Sequence, residues 1–212
     1  MLTIKLVRHG ESHANLGLVT SQQMGDHLIP LSERGQIQAR EAGRTIGSGF
    51  IAGSLVYVSP YLRTRETLAN ILEGCAIDAS SVRVYEDPRL REVEHGYDEV
   101  SPQGELRERH GWFYYRFRGG ESPADCYDRA STFLESMMRQ VERKAAERVL
   151  VVTHGLFIRC FAMRFLHLSV ETFDTLANPH NCDVVTIGEA SGLTNPQFTS
   201  GRWGVEGLRL RP

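Results

Sequence analysis

Lysine is almost missing from this chain of 212 residues, which has 22 arginines but only two lysines, Lys5 and Lys144. The 26 Asp and Glu residues bring the net charge to -2, so the chain lacks the basic excess that binds nucleic acid or an acidic membrane. It lacks any apolar run near the roughly 20 residues that cross a bilayer, and MLTIKLVRHG becomes charged too early for the apolar core of a signal peptide. We therefore expect a cytoplasmic protein with no nucleic-acid partner and no membrane partner.

Cysteine is also sparse, and its four copies form neither a CxxC pair nor the dense spacing of a disulfide-rich secreted domain. The four are Cys75, Cys126, Cys160 and Cys182. We expect reduced thiols and, for want of a second ligand pair, no zinc site among them. With 41% hydrophobic residues the chain can bury a full core, which predicts one domain over residues 1–212.

Apolar segments of strand type and helix type alternate along the chain. Strands are predicted at 2–7, 54–58, 82–85, 148–153 and 183–187, and residues 205–210 are predicted as an edge strand or an ordered tail. Helices are predicted at 31–46, after 59–60, from 122 onward and at 156–166. Because strands alternate with helices, the expected fold is a doubly wound, mostly parallel α/β sheet flanked by helices.

Three of the predicted helices begin with capping signals. Ser32 and Ser59 are predicted N-caps, and Pro60 is predicted as the first helical residue after Ser59. Residues 122–125 have the pattern of a capping box with proline at the first helical position. The inward faces are predicted to include Ile37, Ala39, Ala42 and Ile46 in the first helix, Leu68, Ile71 and Leu72 in the second, and Phe133, Leu134, Met137, Met138 and Val141 in the third.

Two separate predicted strands end in the same dipeptide, His-Gly, within LVRHGES and VVTHGLF. In open α/β sheets, ligands bind outside the carboxyl ends of the strands, where helix N-termini offer free N–H groups to an anion. His9 and His154 should therefore lie at one edge of the sheet, and the glycine after each lets the backbone approach a ligand closely. Arg8, and Arg63 in the first turn of the helix after the second strand, add positive charge. The expected ligand is a phosphoryl group.

At these residues the chain resembles the histidine phosphatase superfamily, and within it the phosphoglycerate-mutase-like branch. VRHGESHAN matches the branch signature RHGESxxN, SPYLRTRET matches SxxxRxxxT, and LREVEHG matches LxExxxG. GGES before the long helix and VVTHG with the second histidine complete five matched segments in the family's order. The resemblance spans most of the chain and implies the same α/β fold, with a small lid insertion at approximately 86–121.

The resemblance implies that His9 is the nucleophile, whose ring nitrogen attacks phosphorus in line and forms a phosphohistidine that water then hydrolyses. It implies that a set of donors holds the nonbridging oxygens, namely Arg8, Asn15, Arg63, His154 and the Gly155 N–H. Ser21 occupies the spacing at which relatives place a hydroxyl near the substrate. The chemistry implied needs no metal and no cofactor. His13 follows His9 by four residues, but Gly10 and the preceding strand predict a turn there and not a metal-binding helix.

A carboxylic acid should protonate the leaving alkoxide, and the negative charge of the bound phosphoryl group favours its protonated form. Glu92 fits the family motif, because it alone is followed four residues later by a glycine, Gly96. Glu94 would share its face in an extended segment, and Asp98 and Glu99 are near, so spacing leaves these three open. We take Glu92 as the general acid and base.

Residues 112–118, WFYYRFR, interleave aromatic side chains with arginine. The near-neutral charge of the chain argues against nucleic-acid stacking. The resemblance places this run in the insertion that roofs the active site, where its aromatic side chains would select an organic leaving group and Arg116 and Arg118 would contact it. Packing of a small subdomain is the alternative.

The branch contains mutases, which retain a bisphosphorylated intermediate, and phosphatases, which pass the phosphoryl group to water. Only 28 residues separate Glu92 from Glu121, which is shorter than the insertion that family mutases use to enclose a bisphosphoglycerate. We therefore expect a metal-independent phosphatase for small phosphomonoesters, with phosphoglycerate mutase as the alternative. A catalytically silent binding protein on this fold and a metallohydrolase are further alternatives, and a homodimer stays open.

Overall fold

The computed structural model of this chain describes residues 1–96 and 103–211. Its strands are β1 (Thr3–Arg8), β2 (Leu55–Val58), β3 (Val84–Glu86), β4 (Arg148–Thr153), β5 (Leu176–Ala177), β6 (Val184–Glu189), β7 (Phe198–Ser200), β8 (Trp203–Glu206) and β9 (Arg209–Leu210). Its helices are α1 (Ser21–Met24), α2 (Glu33–Ile46), α3 (Ser48–Ile51), α4 (Leu62–Gly74), α5 (Gly104–His110), α6 (Pro123–Lys144), α7 (Gly155–Leu166) and α8 (Val170–Thr175). Within the described ranges, no helix is both long enough and apolar enough to cross a membrane.

Seven of the strands form one sheet, in the order β3-β2-β4-β1-β6-β8-β7. The four strands from β3 to β1 run parallel, whereas β6, β8 and β7 each run antiparallel to their neighbours. Strands β5 and β9 pair separately. The predicted doubly wound, mostly parallel sheet flanked by helices is confirmed, and it carries an antiparallel edge that the alternating sequence pattern did not reveal.

Strand β4 shows why both faces of the sheet are buried. Val149 and Val151 pack into one core cluster, whereas Leu150 and Val152 pack into the other, because successive side chains leave a strand on opposite sides. Helices α6 and α7 cover the first face, and α2 and α4 cover the second. A continuous apolar run such as residues 149–152 is typical of a strand that is covered on both faces.

The predicted caps of α2 and α6 are confirmed. The Ser32 hydroxyl accepts the backbone N–H of Gly35 at 3.0 Å, and α2 begins at the next residue after Ser32. Ser122 and Asp125 form the predicted capping box, and Pro123 is the first residue of α6. Each cap satisfies N–H groups that a helix start leaves without a partner in the helix.

The inward face of α2 contains one wrong prediction. Ala39, Ala42 and Ile46 are buried as expected, but Ile37 is 51% exposed. Each helical residue rotates the side chain by about 100°, so Ile37 lies about 200° around the helix from Ala39 and faces solvent.

The predicted start of α4 is also wrong. Ser59 does not cap the helix and Pro60 is not its first residue, because α4 begins at Leu62 with Tyr61 as its N-cap. The Ser59 hydroxyl instead lies 2.9 Å from Nε2 of His154. A serine that the local pattern assigns to a helix start therefore belongs to the site at the strand ends.

At the end of the chain, residues 205–210 form parts of two strands and not one. Strand β8 ends at Glu206, and β9 begins at Arg209 and pairs with β5. Gly207 separates them with φ of +84°, and a Cβ there would lie 2.5 Å from the Val184 carbonyl oxygen, so the bend requires glycine. Other elements that the sequence did not predict are α1, α3, α5, α8, β5 and β7, all too short for a periodic signal.

Candidate active site

The carboxyl ends of the parallel strands bring the two predicted histidines together. His9 follows β1 and donates its backbone N–H to the carbonyl of Thr153, the last residue of β4, at 2.9 Å. His154 comes next after Thr153, and the two imidazole rings meet edge to face with centroids 5.2 Å apart. Ser59 follows β2 and donates its backbone N–H to the Val152 carbonyl at 3.1 Å. The parallel register therefore brings three distant segments to one edge of the sheet.

The His9 ring is held in one orientation. It is 4% exposed, and its Nδ1 lies 2.7 Å from the carbonyl oxygen of Gly10. A carbonyl only accepts, so Nδ1 carries the hydrogen and Nε2 keeps its lone pair, towards which the Nε–H of Arg63 points at 3.3 Å. Burial, with the charges of Arg63 and Arg8, holds the pKa of His9 well below its usual range. At neutral pH the ring is therefore neutral, with a lone pair on Nε2.

Arg63 links His9 to a carboxylate that the sequence did not predict. It lies in the first turn of α4 and is 5% exposed. Its Nη1 donates to Oδ1 of Asp26 at 2.9 Å and its Nη2 donates to Oδ2 at 3.1 Å, which makes a bidentate ion pair. Nη1 also donates to the Asp26 carbonyl at 2.6 Å. The guanidinium further lies 5.0 Å from the ring centroid of Tyr61, so it is held from several sides.

Arg8, the last residue of β1, supplies the second guanidinium. Its Nη1 donates to the Pro179 carbonyl at 2.6 Å, whereas its Nε is buried and has no hydrogen-bond partner among the described residues. Burial lowers the pKa of Arg8, and the neighbouring charge of Arg63 acts in the same direction. A guanidinium whose Nε–H is buried and unused is stabilised by an anion.

A cavity of about 530 Å³ lies over these residues. Six of the predicted site residues line it: Arg8, His9, Asn15, Ser21, Arg63 and Glu92. The rest of its described wall comes from Tyr61 and from the segments 12–27 and 92–96. Two further predicted residues, His154 and Gly155, are not among the described residues of this wall.

The amide of Asn15 is oriented by its neighbours. Its Oδ1 accepts the backbone N–H and the hydroxyl of Ser12, both at 3.1 Å, and Nδ2 of Asn181 at 3.1 Å. Asn181 Nδ2 also donates to the His9 carbonyl at 3.1 Å. Because these three donors occupy Oδ1, the orientation of the amide is fixed and its NH₂ group remains to donate at the cavity wall.

His154 is fully buried beside His9, and its ring contacts Ser59 through Nε2. The Ser59 hydroxyl oxygen also accepts the backbone N–H of Tyr61 at 3.4 Å. Nδ1 of His154 is buried without a hydrogen-bond partner in the described part of the chain, and it carries the ring hydrogen when the Ser59 hydroxyl donates to Nε2. Burial, followed by the charge of Arg63, holds the pKa of His154 well below its usual range. A buried donor of this kind requires an acceptor, which a bound ligand could supply.

Glu92 lies between the cavity and the start of α7. Its Oε2 lies 3.5 Å from the backbone nitrogen of Leu156, and its Oε1 accepts the Val93 N–H at 3.1 Å. Gly155 precedes Leu156, and a Cβ there would lie 2.8 Å from the Asn178 side chain, so the strand-to-helix turn is closely packed. Glu94, an alternative acid, also lines the cavity. The other two alternatives, residues 98 and 99, lie outside the described residues.

The carboxylate of Glu121, from the GGES segment, fixes the Glu92 loop. It accepts Nε and Nη2 of Arg129, each at 2.9 Å, and it pairs with Arg91. The backbone N–H of Glu121 donates to the Glu94 carbonyl at 2.8 Å. Arg129 also donates to the carbonyls of Arg89 at 2.6 Å and Arg91 at 3.2 Å. The start of α6 is thereby tied to both sides of Glu92.

The aromatic run at 112–118 packs into the molecule. Phe113 and Phe117 are buried, and Phe113 meets Phe173 edge to face with centroids 5.1 Å apart. Arg116 pairs with Asp125 of α6. No residue of this run belongs to the described cavity wall. The packing alternative is therefore the one that the described contacts support.

Comparison with known protein families shows which family the chain belongs to. The family model of the histidine phosphatase superfamily (branch 1) matches residues 4–199. The chain belongs to the histidine phosphatase superfamily. The predicted resemblance is thus confirmed, and the two His-Gly strand ends, the cavity and the arginines are parts of a histidine phosphatase fold.

Relatives in the superfamily include both mutase-like and phosphatase proteins. The chain is 40% identical to the phosphoglycerate mutase-like protein AT74H of Arabidopsis thaliana, over 90% of this chain and 76% of that protein. It is 26% identical to the broad-range acid phosphatase DET1 of Saccharomyces cerevisiae, over 87% of this chain and 84% of that protein. Among solved structures, a mycobacterial glucosyl-3-phosphoglycerate phosphatase superposes with a TM-score of 0.76 at 23% identity, covering 99% of each chain. This similarity to a solved structure establishes the fold.

Three residues of this histidine phosphatase site were missed by the sequence analysis. Asp26 lies in a short 3-10 turn, Asp26–Leu28, that gives no periodic signal. Ser59 stands at the end of β2, where the strand-end rule used for His9 and His154 could have found it. Asn181 lies in the connection before β6, and only the folded chain brings it to Asn15.

Proposed function

We propose that this protein hydrolyses small phosphomonoesters through a phosphohistidine formed on His9. The observation that carries the proposal is the neutral His9 ring, whose Nε2 lone pair lies beside Arg63 at the cavity wall. Attack on a phosphoryl group needs an unprotonated ring nitrogen together with positive charge for the phosphoryl oxygens. Membership of the histidine phosphatase superfamily supports the same chemistry.

In the first step, Nε2 of His9 attacks phosphorus and the bond from phosphorus to the leaving oxygen breaks. Glu92, as a carboxylic acid, gives its proton to the departing alkoxide. In the second step, the Glu92 carboxylate takes a proton from water while the water oxygen attacks phosphorus. The N–P bond then breaks, the lone pair returns to Nε2, and inorganic phosphate leaves. Throughout, the Nδ1–H of His9 remains bonded to the Gly10 carbonyl and holds the ring in place.

The phosphoryl oxygens need donors while phosphorus changes its geometry. Arg8, Arg63 and the Asn15 amide supply them from the cavity wall. We assign the unpaired Nδ1–H of His154 and the Gly155 N–H to the same task, and the Ser21 hydroxyl to the substrate. Loss of one such donor typically lowers the rate by about a hundredfold to a thousandfold. Several donors together are needed against the very slow background hydrolysis of phosphate monoesters.

The charges on the cavity wall favour a phosphatase over a mutase. Arg8 and Arg63 are the only arginine or lysine side chains among its described lining residues. Asp26, Glu92 and Glu94 bring carboxylates to the same wall. A phosphoglycerate mutase must also hold a second anionic group of its substrate, and the described wall has no arginine or lysine left for it once Arg8 and Arg63 bind the phosphoryl group. Leaving groups without negative charge suit this wall.

We propose that part of the cavity wall belongs to a lid insertion at approximately 86–121. Its residues 92–96 line the cavity, and the insertion is short. A short lid suits entry and release of single substrates, whereas a retained bisphosphorylated intermediate requires enclosure.

The test is a panel of phosphomonoesters that includes 3-phosphoglycerate with and without 2,3-bisphosphoglycerate. Wild type is compared with His9→Ala and with the matched control His13→Ala, which removes a histidine from the turn after His9. We expect phosphate release by wild type and the control, loss of at least a thousandfold in His9→Ala, and release that persists in EDTA.

Each other outcome would contradict one part of the proposed function. Isomerisation of 3-phosphoglycerate faster than phosphate release would identify a mutase, the activity that the name of AT74H suggests. Wild-type release by His9→Ala would remove His9 as the nucleophile. Activity lost in EDTA and restored by a divalent ion would identify a metallohydrolase.

A further inference from the structure

Asp26 is the one carboxylate among the described residues that binds the guanidinium of Arg63. It lies on the cavity wall with its side chain one third exposed, whereas the Arg63 side chain is almost fully buried. Asp26 accepts three hydrogen bonds from Arg63, two at its carboxylate and one at its backbone carbonyl. The proposed mechanism gives Arg63 a task at the phosphoryl group but gives Asp26 none.

The five N–H bonds of a guanidinium show what this contact does. Three of them, from Nη1 and Nη2 of Arg63, point to Asp26. A fourth, from Nε, points to Nε2 of His9 at 3.3 Å. The fifth, on Nη2, lies on the same edge of the planar group as Nε–H. Asp26 therefore occupies one end of the guanidinium, and the edge formed by Nε and Nη2, which faces His9, remains available to a ligand.

We propose that Asp26 is a positioning residue that orients Arg63, so that its Nε and Nη2 edge faces the phosphoryl group on His9. The inference rests on the proposed function, because it assigns Asp26 a role in that same site. A planar guanidinium that binds an anion through two N–H bonds must be set at the correct angle. A bidentate carboxylate fixes that angle before the substrate arrives.

The competing interpretation is that Asp26 occupies the place of the substrate phosphate and must leave. The geometry favours the positioning role. An in-line attack puts phosphorus next to Nε2 of His9, and the nitrogen of Arg63 that reaches Nε2 is Nε. Asp26 holds the Nη1 and Nη2 end, so the phosphoryl group and Asp26 use different edges of one guanidinium.

The test is a double-variant cycle on the purified full chain. The variants are Asp26→Ala, the isosteric Asp26→Asn, Arg63→Ala and Asp26→Ala with Arg63→Ala. The matched control is Glu73→Gln, which removes a carboxylate that pairs with Arg40 at the far end of the same helix, α4. The readouts are kcat and KM with p-nitrophenyl phosphate, the Kd of inorganic phosphate by calorimetry, and thermal melting to confirm folding.

We expect Asp26→Ala to lower kcat by about tenfold to hundredfold and to weaken phosphate binding, with a smaller loss in Asp26→Asn. In the Arg63→Ala background the same change should alter kcat by less than about twofold, because Asp26 acts through Arg63. Glu73→Gln should match wild type. A structural role alone would lower kcat equally in both backgrounds.

Several results would overturn the inference. A kcat and a phosphate Kd in Asp26→Ala that match wild type would show that Arg63 needs no support, and tighter phosphate binding with faster turnover would show that Asp26 competes with substrate. Equal losses in the two backgrounds would mean that Asp26 acts independently of Arg63. If His9→Ala keeps full turnover, the proposed function fails by itself, and the phosphate Kd of Asp26→Ala still decides the role of Asp26.

Discussion

Single hydrogen atoms on two rings control what this site can do. His9 has its hydrogen on Nδ1 because the Gly10 carbonyl accepts it, and this leaves a lone pair on Nε2. His154 contacts Ser59 through Nε2, and we assign its hydrogen to the unpaired Nδ1. In the proposed mechanism, one ring attacks and the other donates. Their different partners at the strand ends produce this difference.

Replacement of Ser59 by alanine should disturb the second ring. Without the hydroxyl, no donor keeps Nε2 of His154 as an acceptor. In a fraction of the protein molecules the ring hydrogen then moves from Nδ1 to Nε2, and Nδ1 is no longer a donor. We expect a loss in kcat of about tenfold or more and a change in the ¹⁵N shifts of the His154 ring. The control is Ser54→Ala at the other end of β2, where the hydroxyl binds the Phe50 carbonyl at 2.7 Å. Unchanged ring shifts in Ser59→Ala would disprove this assignment of the hydrogen.

The structure assigns a task to an arginine for which the sequence predicted none. From the sequence, Arg8 and Arg63 have a phosphate-binding task and Arg116 and Arg118 have a predicted lid contact, whereas composition and solvated helix faces explain the others. Arg129 departs from this explanation, because its side chain is mostly buried and binds the Glu121 carboxylate together with two backbone carbonyls. A planar fork with five donors serves such a junction better than lysine would.

At the scale of elements, the site is a set of junctions between strand ends and helix starts. The strand ends place His9, Ser59 and His154, and the starts of α4 and α7 place Arg63 and Gly155. The start of α6 does not line the cavity, yet Glu121 just before it holds the loop that carries Glu92. The element that supports the proposed acid, Glu92, is therefore distant from it in sequence.

Replacement of Glu121 by glutamine should destabilise this junction. The change leaves the buried Arg129 without its bidentate partner, and removal of one member of a buried ion pair typically costs about 3–5 kcal/mol. We expect the free energy of unfolding, from urea denaturation, to fall by about 2–4 kcal/mol, since glutamine keeps one acceptor. The control is Glu142→Gln on the exposed face of α6, which should stay within about 0.5 kcal/mol of wild type. Equal effects of the two changes would contradict a supporting role for Glu121.

At the scale of the whole molecule, the net charge of -2 does not show how charge is distributed at the strand ends. Two buried histidines and two arginines share the strand ends, and burial keeps both rings neutral. Because the unfolded chain hydrates these rings freely, the folded and unfolded states bind protons differently.

This difference predicts how stability depends on pH. In the unfolded chain a histidine takes up a proton below about pH 6.5, whereas in the folded chain the lowered pKa of His9 and His154 keeps the rings neutral there. The unfolded state then binds more protons, so the free energy of unfolding falls with decreasing pH, by about 1.4 kcal/mol for each ring between about pH 7.5 and pH 5.5. Urea denaturation in phosphate-free buffer between about pH 7.5 and pH 5.5 measures this slope. His154→Gln should have a smaller slope than wild type or the control His13→Gln, and parallel slopes would contradict the prediction.

Local signals explain the parts of the fold that were predicted correctly. The β-branched run of β4 and the caps at Ser32 and Ser122 depend on neighbours in the chain, so the sequence displays them directly. The prediction at Ser59 is wrong because a serine before a proline has the same local pattern whether it caps a helix or binds a distant ring. The antiparallel direction of the strands at the sheet edge escaped prediction because strand direction depends on pairing partners and not on local pattern.

The sequence by itself determined the alternation of strands and helices, the two His-Gly strand ends and the superfamily, because these features are written in short segments and their order. Only the tertiary structure decided which side chains hold them in working geometry. Three contacts join positions that lie far apart in the chain: Asp26 with Arg63, Ser59 with His154, and Asn181 with Asn15. Such contacts exist only when packing fixes angles and distances that no local pattern contains.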